Sequence, residues 1–366
     1  MVDNKYQLYK DLKSYLQTHF DMQDKKEFSI VIAWALGTYV YDVFSAYPRL
    51  VFYGPKQSGK SKMLTFLSKL CNNSQYTIIP STAAMFRIIQ KWKPTLLLDE
   101  FNLYSSSENK EVVAILRQGY KKGGQVPRCE KLRIKGEDGS RELQEVVFYD
   151  VYCPIAFCGL TINDDQLLDR SIAINLIRSN RINIVNTEID EKWFDKEKIV
   201  TWEGLREKLM DLLKKEEVEE CYKIIKECHI PIAGRDKELW TPLLAIARFI
   251  GGPEHNEFWD DVVFYMQKYI KRKQEEDLSS FDLRVLAEIE RLDDMGKFQA
   301  KEIAELLNEF VSNPKEQVTS HAVGHALKRL GIPFKIDTGK KYYTLTPEEY
   351  EILKQKFGII SEKNGS

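Results

Sequence analysis

Gly54-Pro55-Lys56-Gln57-Ser58-Gly59-Lys60-Ser61 is the stretch that decides how this chain is read. It fits the pattern GxxxxGK[ST]. Glycines let a backbone bend until its N–H groups point at phosphate oxygens, and a helix starting at the end of the turn turns its positive end to the same anion. The pattern sets Lys60 against the β- and γ-phosphates of ATP and Ser61 on Mg²⁺. All eight residues are candidate nucleotide-binding positions. The flanks agree: strand-like Leu50-Val51-Phe52-Tyr53 precedes the turn, and residues 60–71 read as a helix.

About 40 residues downstream stands Leu96-Leu97-Leu98-Asp99-Glu100. A continuous apolar run is expected of a strand buried on both faces. Two carboxylates at its end suit hydrolysis beside a nucleotide: Asp99 holds Mg²⁺ through water, and Glu100 polarises the attacking water. Further on, Leu167-Leu168-Asp169-Arg170 precedes the strand-like residues 171–177. Arg170 is placed to reach the γ-phosphate of a neighbouring subunit. Thr161 and Asn163 follow another apolar run, 153–158, and are candidate sensors of the γ-phosphate.

Strands alternating with helices indicate a mostly parallel α/β sheet. Residues 5–46 read as helical, and so do 82–92 and 109–120. A second strand is expected at Thr77-Ile78-Ile79, and a hairpin over residues 132–149 with its tip at 136–139. Four segments follow: an N-terminal helical piece (1–48), an α/β core (49–180), a helical lid (181–272) and a last block (281–357). The polar run 271–280 is taken as a boundary. Three helices and a hairpin over Pro333 to Leu345 give the last block a winged-helix pattern.

Composition bounds the function. In 366 residues, 54 Lys and Arg stand against 55 Asp and Glu, which excludes a protein that coats nucleic acid by bulk charge. Six cysteines without a CxxC pair, and only five histidines, argue against a zinc site or a disulfide framework. Reduced thiols, a polar N-terminus and an apolar stretch interrupted by Ser29, Gly37, Thr38 and Asp42 point to a cytoplasmic chain without a membrane span. Locally the charge is uneven. Residues 117–141 carry eight basic side chains and three acids, a balance of +5, with Lys131, Arg133 and Lys135 alternating along one strand. Residues 315–341 carry six against two. There Lys328 is a candidate for a DNA major groove, beside Ser320, His321, Gly324 and His325, and Lys340 and Lys341 for the backbone. His321 and His325 lack a third ligand and are read as polar face residues.

In this order the motifs resemble the AAA+ ATPases. The hairpin between the Asp-Glu strand and the sensor strand is similar to that of replicative helicases, including the minichromosome maintenance group and superfamily 3 initiators. More closely, the chain looks like helicase-type ATPases of plasmids, phages and other mobile elements. The pieces that carry this are Tyr47-Pro48-Arg49-Leu50, Ala84-Met85-Phe86-Arg87, Gln118-Gly119-Tyr120-Lys121-Lys122-Gly123-Gly124 and Gly234-Arg235-Asp236-Lys237-Glu238-Leu239-Trp240, and the likeness covers residues 8–357. It implies a P-loop AAA+ core, an arginine finger at Arg170 acting in trans, and a second phosphate sensor at Arg235. It departs from the replicative helicases at Gly159-Leu160-Thr161-Ile162-Asn163, where an Asn usually follows the strand directly. The expected function is an ATP-hydrolysing DNA motor, a replicative-type helicase working as a ring, expected to be a hexamer, with any primase or polymerase supplied separately. The alternative is an ATP-switched initiator or loader that binds duplex DNA without unwinding it.

Overall fold

The computed structural model describes residues 2–78, 81–99, 107–136, 139–159, 164–190, 192–195, 198–228, 230–252, 256–277, 280–309, 311 and 317–356. The chain divides into two compact units, Met1–Met266 and Gln267–Ser366.

The first unit opens with α1 (Val2–His19) and α2 (Glu27–Gly37). The sequence predicted helix from 5 to 46, but the chain leaves α1 at Phe20. Met22 then forms an antiparallel bridge to Leu176, which a continuous helix would forbid. All of α2 is buried, as expected of a helix apolar on every side. No described helix is long and apolar enough to cross a membrane.

The core alternates β1 (Arg49–Tyr53), α3 (Lys60–Leu70), β2 (Ser74–Ile78), α4 (Thr82–Trp92), β3 (Thr95–Asp99) and α5 (Ser107–Gln118). A long hairpin follows, β4 (Gln125–Gly136) and β5 (Gly139–Asp150), then β6 (Ile155–Gly159), α6 (Asp165–Leu168) and β7 (Ser171–Asn175). Five strands form one parallel sheet in the order β2-β3-β6-β1-β7. Period-2 alternation sends Val51, Leu96 and Leu98 to the layer of α4 and α5, where they pack with Met85, Ile89 and Leu116. Central strands β1, β3 and β6 are buried on both faces, whereas edge strand β2 is largely exposed. Truncating a leucine such as Leu98 to Ala costs about 2–5 kcal/mol through the cavity it leaves.

Beyond the sheet lie α7 (Ile182–Val185), the hairpin β8 (Lys192–Asp195) and β9 (Lys198–Thr201), α8 (Trp202–Leu212), α9 (Lys215–Glu227), α10 (Gly234–Gly251) and α11 (Glu257–Asp277). A buried polar network ties α1 and α2 to α11. Lys13 Nζ lies 2.5 Å from Asp261, and Ser29 Oγ donates to the same carboxylate at 2.7 Å. The polar run expected as a boundary is helical as far as Asp277.

The second unit contains α12 (Ser280–Ile289), α13 (Ala300–Asn308) and α14 (Ser320–Arg329). After them come an antiparallel hairpin of β10 (Phe334–Asp337) and β11 (Lys340–Tyr343), and α15 (Pro347–Lys356). Its own core gathers Val285, Leu286, Phe298, Ile303, Val323 and Leu327.

Candidate functional site

The turn after β1 is built by its glycines. Gly54 has φ 142° and Gly59 φ 87°, both in the region that side chains disfavour. At Gly54 a Cβ would also lie 2.2 Å from the Leu176 carbonyl oxygen. Gly59 is the N-cap of α3, which starts without a side-chain cap and without an acid in its first turn. Its first N–H groups are thus left for an anion. Lys60 Nζ spans the turn, donating to the Gly54 and Pro55 carbonyls at 2.9 and 2.7 Å. Burial lowers the Lys60 pKa, and the nearby Cys158 and Asp99 work against that shift.

Asp99 ends β3, two strands from the turn, with β6 between. Its Oδ1 accepts from Ser61 Oγ at 3.2 Å and from Cys158 Sγ at 2.8 Å; its Oδ2 accepts from Tyr76 Oη at 2.5 Å. Ser61 and Asp99, paired by motif, are therefore joined in space. Tyr76 and Cys158 were missed by the motif reading: each reaches Asp99 from a different strand, and only the strand order reveals it. Burial, then the bond to Asp99, raises the Tyr76 pKa well above its ordinary value. A hydroxyl and a carboxylate are hard oxygen donors that fit Mg²⁺, which keeps several waters and takes few protein ligands. No cluster of three or more His, Cys, Asp or Glu is found among the described residues. Glu100, Thr161 and Asn163 lie outside the described residues.

Beside the phosphate turn is a cavity of about 730 Å³. Its apolar wall is Phe20, Ile177, Ile184 and Val185; its polar groups include Asp21, Ser179 and Asn180. Crossing segments hold it open. Lys62 Nζ donates to the His19 and Ile184 carbonyls at 3.0 and 3.1 Å, and Arg181 pairs with Asp21 at 3.0 Å. No motif marks this cavity, because its walls come from either side of the core in sequence.

The arginines lie at the other end of the sheet. Strands β1 and β7 run in register from Arg49 opposite Ser171 to Tyr53 opposite Asn175. Gly54 follows one end of that ladder and Arg170 precedes the other. Five parallel-strand residues span roughly 16 Å, so Arg170 does not reach its own phosphate turn. Its guanidinium lies over the Tyr120 ring, 5.6 Å from the centroid, and donates to the Gln166 carbonyl. Its Nε is buried without a hydrogen-bond partner among the described residues. Arg235, expected as a phosphate sensor, is brought to this end too: it forms an ion pair with Asp169. Burial opposes its charge, yet Asp169 and Tyr120 raise its pKa above the ordinary arginine value. Arg49, fully buried, donates to the Leu116 carbonyl at 3.1 Å and the Cys153 carbonyl at 2.5 Å, and its amide donates to the Arg170 carbonyl at 3.1 Å. Burial pushes its pKa down to about 10, against the opposing pull of Cys153 and Tyr152.

In the hairpin, Lys131, Arg133 and Lys135 take alternate positions on β4, opposite Gln144, Glu142 and Ser140. The root is less positive than its sequence balance of +5. Arg117 pairs with Asp164, Lys121 with Glu238 at 2.8 Å and Arg128 with Glu111 at 2.9 Å, all acids from outside the segment. In the second unit, a groove of about 550 Å³ gathers Lys301, His321, His325, Lys328, Lys340 and Lys341. Arg329 is held by the buried Asp282 at 2.6 Å. The His321 and His325 rings sit edge to face, 4.6 Å apart.

Residues 184–338, less than half of the chain, match the family described as "Protein of unknown function (DUF3631)". No curated protein matches the chain. Among solved structures, the chain is similar to the apo NrS-1 C-terminal region, at 13% identity and a TM-score of 0.37, covering 94% of this chain and 74% of that one. It is similar to the JCV helicase, at 10% identity and a TM-score of 0.30, covering 77% and 64%. It is also similar to Cdc6p from Pyrobaculum aerophilum, at 10% identity and a TM-score of 0.28, covering 93% and 94%. At such TM-scores the reading of the site rests on its own geometry.

Proposed function

We propose that this chain is an ATP hydrolase of the AAA+ kind that works on DNA as an oligomeric ring. The observation that carries the reading is the division of charge across the sheet. Ser61 and Asp99 meet at the phosphate turn, while Arg170 and Arg235 stand roughly 16 Å away at the opposite strand ends. A phosphate on one subunit's turn is then completed by the arginines of the next, as a head-to-tail ring allows.

In this reading Lys60 leaves the Gly54 and Pro55 carbonyls for the β- and γ-phosphates, which the first amides of α3 also bind. Ser61 and Asp99 hold Mg²⁺, which neutralises phosphate charge when bound. The cavity beside the turn takes the base against Phe20 and Ile184, with Asp21, Ser179 and Asn180 for the sugar. Glu100 polarises the attacking water, and Thr161 or Asn163 senses the γ-phosphate. Turnover moves the hairpin, with Lys131, Arg133 and Lys135, along the DNA backbone. A hexamer, and a primase or polymerase as a separate partner, complete the proposal.

Mixing Lys60→Ala with Arg170→Ala protein tests it. Each variant alone should retain about one per cent of the wild-type rate or less. In a randomly mixed ring about a quarter of the sites pair an intact turn with an intact arginine, so activity returns. A mixture as dead as its parts refutes action in trans. A second reading is favoured by the basic groove of the second unit, whose three helices and hairpin suit a winged helix on duplex DNA. There ATP switches a loader or initiator. Displacement of a forked duplex separates the two: hydrolysis without unwinding favours the loader.

A further inference from the structure

The phenol of Tyr120 stands where three parts of the first unit meet. Its ring lies under Arg170. Its hydroxyl lies near enough to Arg235, at the start of α10, to help hold that guanidinium charged. The side chain is buried against Ala46 and Leu239. Its backbone belongs to the root of the hairpin: α5 ends two residues earlier, and β4 begins five residues later. That root is fastened to the sheet. The Tyr120 carbonyl accepts from the Tyr47 amide at 2.7 Å, Lys121 bridges Ala46, and the Lys122 amide donates to Ser45 at 2.9 Å. Gly124 closes the turn, accepting from the Val151 amide at 3.0 Å.

An anion that draws Arg170 and Arg235 outward must take both from Tyr120. We infer that Tyr120 is a positioning residue that couples the neighbouring subunit's nucleotide to the hairpin: it clamps the root while the arginines are held in their own chain and releases it when they engage a phosphate. This rests on the proposed reading of the arginines as acting in trans. The contacts suit the task. A cation over a ring and a neutral hydroxyl oxygen beside a guanidinium are weak enough to be exchanged in each cycle, unlike a buried ion pair.

Tyr120→Phe in the full chain tests this, since it keeps the ring under Arg170 and removes the hydroxyl beside Arg235. ATP hydrolysis is measured with and without single-stranded DNA, beside DNA affinity by anisotropy. Basal rate and DNA affinity should stay at the wild-type level, while stimulation by DNA falls about threefold. Tyr120→Leu, which also removes the ring, should bring stimulation close to none. Stimulation at the wild-type level in Tyr120→Phe overturns the coupling, and so does a fall of basal and stimulated rates in equal proportion. Wild-type hydrolysis that DNA does not stimulate instead sinks the motor reading itself, and the coupling with it.

Discussion

At the C-terminal end of the sheet Ser61 is exposed and α3 starts uncapped, whereas at the N-terminal end Arg49, Arg170 and Arg235 are all engaged by groups of their own chain. In the proposed reading the first end receives a phosphate once Lys60 gives up two carbonyls. The second must exchange partners before its cations touch anything outside. The difference teaches that, in the proposed reading, binding and hydrolysis are separable: one subunit alone would hold a nucleotide, and its turnover would wait on a neighbour.

The largest effect breaks the receiving end. Lys60→Ala should lower ATP hydrolysis about 1,000-fold, read from initial rates, with the solution mass of the oligomer unchanged. Next comes the other end. Arg170→Ala should cost about 100-fold in kcat while the affinity for a fluorescent ATP analogue stays the same. Equal loss of affinity would place Arg170 at its own nucleotide and erase the contrast. A smaller change sharpens it. Asp169→Asn frees Arg235 from a pair about one-third exposed, and such pairs are worth little, so the basal rate should rise twofold to about fivefold. A fall instead would make Asp169 part of the machinery. The smallest effect concerns the carboxylate: Cys158→Ala removes one of the donors on Asp99 and should lower kcat about threefold without moving KM.

The phosphate turn and Asp99 were legible because adjacent residues carry their chemistry. So was the α/β alternation, since apolar runs of strand length differ from helical spacing. Tyr76, Cys158 and the cavity walls were not, because strand order alone brings them together. The break at Phe20 went unread for the same reason: the bridge from Met22 to Leu176 is a contact distant in sequence. Charge was misjudged where partners are remote. A count over 117–141 contains neither Asp164 nor Glu238, the acids that neutralise Arg117 and Lys121. The run 271–277 reads as a boundary by polarity, yet its backbone continues α11 to Asp277.

The hairpin pairs twelve residues of β4 with twelve of β5, from Gln125 opposite Asp150 to Gly136 opposite Gly139. At the rise of an antiparallel strand that is an arm of roughly 37 Å. An arm so long multiplies small angles. A tilt of about 5° at the root swings the far end by about 3 Å, close to the ~3.4 Å that each base pair advances along the axis of a duplex. In the proposed motor, a step of one nucleotide would thus ask for only a small rotation at the hairpin root.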